Sequence, residues 1–215
     1  MNRRNFLQTA AAGSTAFAIT AAAHPAADGP LDKLEGHVFE FLGRSNQEGP
    51  AVTHFGYLTH IFTLADDLLF SDSNVRTEAT ARFTFAATTT LESRHEHGNI
   101  ITTSAPGEMN LFLNANPGAD FNDPASFARG QVIASYSTRY YNILNVQAPN
   151  QGVTTAAVEL EQLEARWFTL GGHRFRLGRP GLRARLSANG QGTRIQADPL
   201  RAFFLVGGNA IITGP

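Results

Sequence analysis

Glu78-Ala-Thr-Ala-Arg-Phe-Thr-Phe-Ala-Ala-Thr-Thr-Thr-Leu91 decides the fold class. Read with a period of two, Ala79, Ala81, Phe83, Phe85 and Ala87 fall on one face. Glu78, Thr80, Arg82, Thr84 and Thr88 fall on the other. Successive side chains of a strand point to opposite faces, so this is a strand with one apolar side. Outward from it the pattern repeats. His37, Phe39 and Phe41 oppose Val38, Glu40 and Leu42. Further strands are expected over 51–64, 99–103, 108–114, 131–146, 153–163, 166–170, 173–177, 182–188 and 201–213. Asn, Gly and Pro punctuate them at 45–50, His97-Gly98, Asn116-Pro-Gly118, 149–152, Gly171-Gly172 and Gly178-Arg-Pro-Gly181, which is hairpin chemistry. No twelve-residue segment carries a helical stripe. The expectation is an all-β domain, an antiparallel β-barrel of about eight or more strands (calycin-like), with a jelly-roll β-sandwich as the alternative.

Composition narrows the chemistry. Of 215 residues, 42% are hydrophobic and 16% charged, a globular balance. Cysteine is absent, which excludes disulfides, thiolate metal sites, Fe–S clusters and cysteine nucleophiles. Arginine supplies the basic charge almost alone; Lys33 is the one lysine. Residues 28–164 hold seven basic and seventeen acidic side chains, whereas 165–215 hold eight arginines and one aspartate. Either an anion-binding face or two mutually neutralising faces follows. The slightly negative net charge argues against nucleic acid as partner.

The amino terminus, Met1-Asn2-Arg3-Arg4-Asn5-Phe6-Leu7, precedes an Ala-rich run from Thr9 to Ala23. It resembles a twin-arginine (Tat) export signal, with a charged start, a weakly apolar middle and a small-residue cleavage site. The resemblance implies export of a folded chain through Arg3 and Arg4, to the periplasm or beyond. The run is shorter than the ~20 apolar residues of a spanning helix, so no stable membrane anchor is expected. The expected division is a signal at 1–23, a flexible leader at 24–35 and one all-β domain at 36–215. Oligomeric state is not legible.

Leu64-Ala-Asp66-Asp67-Leu-Leu-Phe70-Ser-Asp72 lies between a strand and a turn. With Thr80-Ala-Arg-Phe-Thr-Phe85 and Phe203-Phe-Leu-Val-Gly-Gly208, it resembles the plant dirigent proteins and allene oxide cyclases. The patches cover about a third of the domain, and residues 152–201 depart from the pattern. The resemblance implies an eight-stranded calycin-like barrel with an apolar cavity, in which Asp66 and Asp67 would be the catalytic carboxylates.

Two other constellations are candidates. Alternation and a short turn place Arg174, Arg176, Arg183 and Arg185 on one side of a hairpin, a guanidinium cluster for a carboxylate, phosphate or sulfate. The competing reading pairs them with Glu159 and Glu161 on a solvated surface. Phe83, Phe85, Tyr136 and Tyr140 share strand faces suited to the wall of an apolar cavity. His95-Glu96-His97 has strand spacing for a metal but sits at a turn. His54 and His60 are six residues apart and read as core or rim histidines. Asp120-Phe-Asn122-Asp123 lacks the spacing of a calcium loop. No metal or cofactor is expected.

The leading functional expectation is an exported barrel binding a small apolar or amphipathic ligand, with an arginine at its mouth facing an acidic headgroup. A dirigent- or cyclase-type enzyme using Asp66 or Asp67 is the first alternative. It requires one of these carboxylates to point into the cavity. A structural or adhesive envelope protein is the second, and it would have a filled interior.

Overall fold

Alternating sequence becomes a closed wall in the computed structural model, which describes residues 29–30, 37–62 and 64–214. Its strands are β1 (Gly29–Pro30), β2 (His37–Glu48), β3 (Ala51–Ile61), β4 (Phe83–Thr90), β5 (Ser93–His97) and β6 (Ile100–Leu113). They continue with β7 (Gln131–Ala148), β8 (Gln151–Ala165), β9 (Phe168–Leu170), β10 (His173–Arg176), β11 (Arg183–Gln196) and β12 (Arg201–Gly214). Strands β2, β3, β4, β6, β7, β8, β11 and β12 pair in that order. All pairings are antiparallel, and β12 returns to β2. This is an eight-stranded up-and-down barrel, not a sandwich, and full closure leaves its wall without an open edge. Strand β5 adds outside the ring along β6.

The export signal, Arg3 and Arg4 lie outside the described residues. Within the expected leader, Gly29–Pro30 forms a short parallel pairing with β10.

Three departures from the sequence reading have local causes. Ordered strand begins at Phe83 rather than Glu78. Residues 71–82 instead make turns held by Thr80, whose hydroxyl bonds to the carbonyls of Val75 and Thr77. The expected strands at 99–103 and 108–114 are one, β6. Its first half pairs with β5 and its second with β4, because Leu91 and Glu92 interrupt the opposite side. Strand β3 carries an irregularity opposite Glu40/Phe41. It puts Ile61 rather than His60 in the core.

One end of the barrel is sealed. The sheet of β1, β10 and β9 and the connection to β11 bring Phe168, Phe175, Leu177 and Leu182 onto the ring of Phe39, Phe83, Leu111 and Leu160. Phe168 and Phe175 stack at 5.8 Å. Burying each such side chain is worth about 1.5–3 kcal/mol. A one-turn helix α1 (Asp66–Leu69) adds Leu69 to the same cluster. On the outer wall the loop 114–130 lays Phe121 and Phe127 over Phe55. Buried Thr84 fastens this loop by donating to the Phe127 carbonyl at 2.7 Å. Among the described residues no helix is long and apolar enough to cross a membrane.

Candidate functional site: the barrel lumen

Inward-facing positions of the eight strands fill the sealed half and leave the other half open. The larger of two spaces in the lumen, about 140 Å³, lies under the turns joining β2 to β3, β7 to β8 and β11 to β12. Val52, Leu91, Leu144, Val146 and Phe204 give it an apolar lining. A smaller space of about 60 Å³ lies deeper, between Phe41, Phe85, Met109, Val158 and Leu186. Ser45 and Tyr140 border both. Gly43 and Gly56, register partners in β2 and β3, make room for the Phe85 ring that borders the deeper space. A Cβ on either would stand within 2.8 Å of the Phe85 ring, so only glycine lets that ring lie flat on the wall.

Between the two spaces runs a band of polar side chains. Ser45 Oγ lies 2.8 Å from His54 Nδ1, and His54 Nε2 lies 3.0 Å from Thr89 Oγ1. The imidazole packs against the Tyr140 ring at 5.2 Å. Burial away from solvent lowers the His54 pKa to about 4, so the ring is neutral near pH 7. Burial also pushes the Tyr140 hydroxyl up to about 12, leaving it protonated. Higher in the lumen Thr154 donates to the side-chain carbonyl of Asn142. Thr138 Oγ1, inside the wall, has no hydrogen-bond partner among the described residues.

Both charged residues bordering the larger cavity, Arg94 and Arg194, are cationic. Arg94 pairs with Glu96 on β5. Arg194 donates through Nε to Asn150 Oδ1 at 2.9 Å, a neutral acceptor. No described carboxylate lies within ion-pair distance of its guanidinium.

The residues singled out by sequence reach different places. Phe85 and Tyr140 line the lumen. Phe83 and Tyr136 also point inward but belong to the packed, sealed half. Phe83 meets Phe168 there, and Tyr136 lies beside Gln162. Burial raises the Tyr136 hydroxyl strongly. Asp66 and Asp67 stand on α1, outside the wall, and border neither lumen cavity. Asp66 is 41% exposed and pairs with Arg76 at 2.8 Å and with His60 at 3.5 Å, while Asp67 faces solvent. The cyclase-type alternative asked one of them to point into the cavity, and neither borders the two lumen spaces.

The four-arginine hairpin does not form. Strand β10 pairs with β9 across Gly171-Gly172, not with β11. Left-handed backbone at Gly178 (φ 67°) and Gly181 (φ 82°) turns the chain across the barrel end between them. Arg174 and Arg176 lie over the Trp167 ring at 4.6 and 5.0 Å. Arg183 and Arg185 stand on the outer wall opposite Glu161 and Glu159 of β8. Of the two, Arg183 lies within ion-pair distance of its glutamate, 3.9 Å from Glu161. His95 and His97 are exposed on β5.

Sequence reasoning missed Ser45, Thr89, Thr138 and Arg194. Thr89 and Thr138 have a readable inward parity, but which strands close on one another is not readable, and Ser45 falls in a stretch read as a turn. Arg194 sits in a polar stretch with no apolar alternation to orient it.

Comparison with family models, with curated proteins and with solved structures finds no match to this chain.

Proposed function

We propose that the chain is a carrier or receptor for a small amphipathic molecule, held in the barrel lumen with its acidic group at the Arg194 mouth. One observation carries this reading. The lumen is sealed at one end and open and apolar at the other, where Arg194 borders it with a neutral partner, Asn150, while Arg94 pairs with Glu96. Apolar contact favours the body of such a ligand, and a charge-assisted hydrogen bond orients its head. A cavity near 140 Å³ suits one aromatic ring or a short chain, since an apolar cavity of roughly 150 Å³ holds benzene. The remaining length of the ligand would sit in the mouth. Outward charges such as Glu159, Glu161, Arg183 and Arg185 on adjacent strands support an aqueous rather than a lipid surrounding. Export through the Arg3-Arg4 signal, to the periplasm or beyond, belongs to the same proposal.

The space in the lumen favours this reading over a structural envelope protein with a filled interior. Titration calorimetry with 3-phenylpropionate tests it, alongside ethylbenzene as the uncharged counterpart. Saturable binding of the acid, weakened about fivefold or more in Arg194→Gln while ethylbenzene binding is unchanged, is expected. Absence of saturable binding by either molecule would refute the proposal.

A further inference from the structure

We infer that the lumen selects ligands whose buried end carries a neutral oxygen, a carbonyl or a hydroxyl, received by the band at Thr138, Tyr140 and the Ser45–His54–Thr89 chain. The inference rests on the lumen-binding reading and specifies its ligand. It follows from counting hydrogen-bond donors. A neutral imidazole has one donor and one acceptor, and each hydroxyl brings one O–H. Ser45, His54 and Thr89 thus hold three donors among them but make two hydrogen bonds with one another. Whichever tautomer His54 adopts, one hydroxyl at an end of the chain keeps an unused O–H. If Ser45 donates to Nδ1, the spare proton is on Thr89; if Thr89 donates to Nε2, it is on Ser45.

Thr138 adds a second unused donor. Its residue is 8% exposed, and its Oγ1 is buried without a partner. It borders the deeper space together with Ser45, His54, Thr89 and Tyr140. The Tyr140 ring borders the same space, and its hydroxyl is a further donor there. Of these groups Thr138 Oγ1 is the one buried without a partner, and leaving a buried donor unmatched is costly. Donors converging on one space with spare protons mark a place where an acceptor belongs. The occupant is neutral there, because the one cation bordering the deeper space, Arg44, does not turn its guanidinium inward to offset the desolvation of an anion. That guanidinium is directed elsewhere, over the Phe203 ring and onto Asn46. The ligand so described is a ring or short chain with a carboxylate at one end and a carbonyl or hydroxyl at the other.

The test compares 3-phenylpropionate, 3-(4-hydroxyphenyl)propionate and 3-(4-acetylphenyl)propionate by titration calorimetry. The proteins are the full chain, Thr138→Val and Tyr140→Phe. The oxygen-bearing acids are expected to bind the unaltered protein up to about tenfold more tightly than 3-phenylpropionate. That advantage, taken as the ratio to 3-phenylpropionate measured on the same protein, should shrink in at least one variant. Thr138→Val replaces an unmatched hydroxyl by a methyl of the same shape, so without ligand its Tm should equal or exceed that of the parent. Equal affinity for all three acids would overturn the inference and leave the lumen reading standing. It would mean that water already satisfies the band. An advantage that persists in both variants would also overturn it, by placing the oxygen elsewhere. If none of the three acids binds, the lumen reading itself fails.

Discussion

His54 shows what a single inward position does. Its ring is held between two hydroxyls and kept neutral by burial, with a pKa near 4. The unfolded chain takes up a proton on this side chain near pH 6.5, whereas the folded chain does not until about pH 4. Below pH 6.5 the unfolded state therefore binds more protons, and acid favours unfolding. His54 should remove up to about 3 kcal/mol of stability between pH 6.5 and 4, less to the extent that water in the lumen reaches the ring. Urea melts at pH 7, 5.5 and 4 check this against His54→Gln, in which that segment of the profile should flatten. An equally steep loss in the variant would assign it to the carboxylates. Gly178 makes a second residue-scale case. A Cβ there would lie 2.1 Å from Gln162 Oε1, at a φ of 67°. Gly178→Ala should cost at least about 2 kcal/mol, since a positive φ and a clash act together. A melting temperature equal to the parent's would show that the barrel end can rearrange.

At the scale of the element, strands were legible where one apolar face sets the register. Phe39 and Phe41 of β2 and Phe83 and Phe85 of β4 all point inward as alternation requires. Reading failed where local pattern and long-range pairing conflict. Residues 78–82 alternate like a strand, yet Thr80 satisfies the backbone of a turn there, and β4 begins after it. Arg174 and Arg176 alternate with Phe175 as a hairpin arm should, but two positive-φ glycines carry the chain away before β11. Neither the sealing sheet nor the glycine pair Gly43 and Gly56 can be read without knowing which strands meet. That pair carries a prediction. A Cβ on Gly56 would stand 2.2 Å from the Leu42 carbonyl oxygen. Gly56→Ala should destabilise the protein by about 2–3 kcal/mol, visible in a denaturant midpoint. By contrast, breaking the exposed Arg183–Glu161 pair, 3.9 Å apart, with Glu161→Gln should move it by less than about 1 kcal/mol.

At the scale of the whole molecule, the chain is a cup. Eight long antiparallel strands leave no wall edge, a small aromatic sheet stops one end, and cationic and polar groups ring the other. The architecture follows from hairpin-punctuated alternation, which is why the barrel could be anticipated. The contents of the cup could not, because an inward position becomes a site only when closure sets it beside residues remote in sequence. Thr138 and Ser45 border one space although 93 positions separate them. In the proposed function this space takes the ligand. The most direct test is a methyl-resolved NMR titration of the labelled protein with 3-(4-hydroxyphenyl)propionate. Saturable shifts confined to Val52, Leu144, Val146, Val158 and Leu186, with the outward Leu42 and Leu205 unmoved, are the predicted result. Shifts at Leu42 and Leu205 with a silent lumen would contradict it.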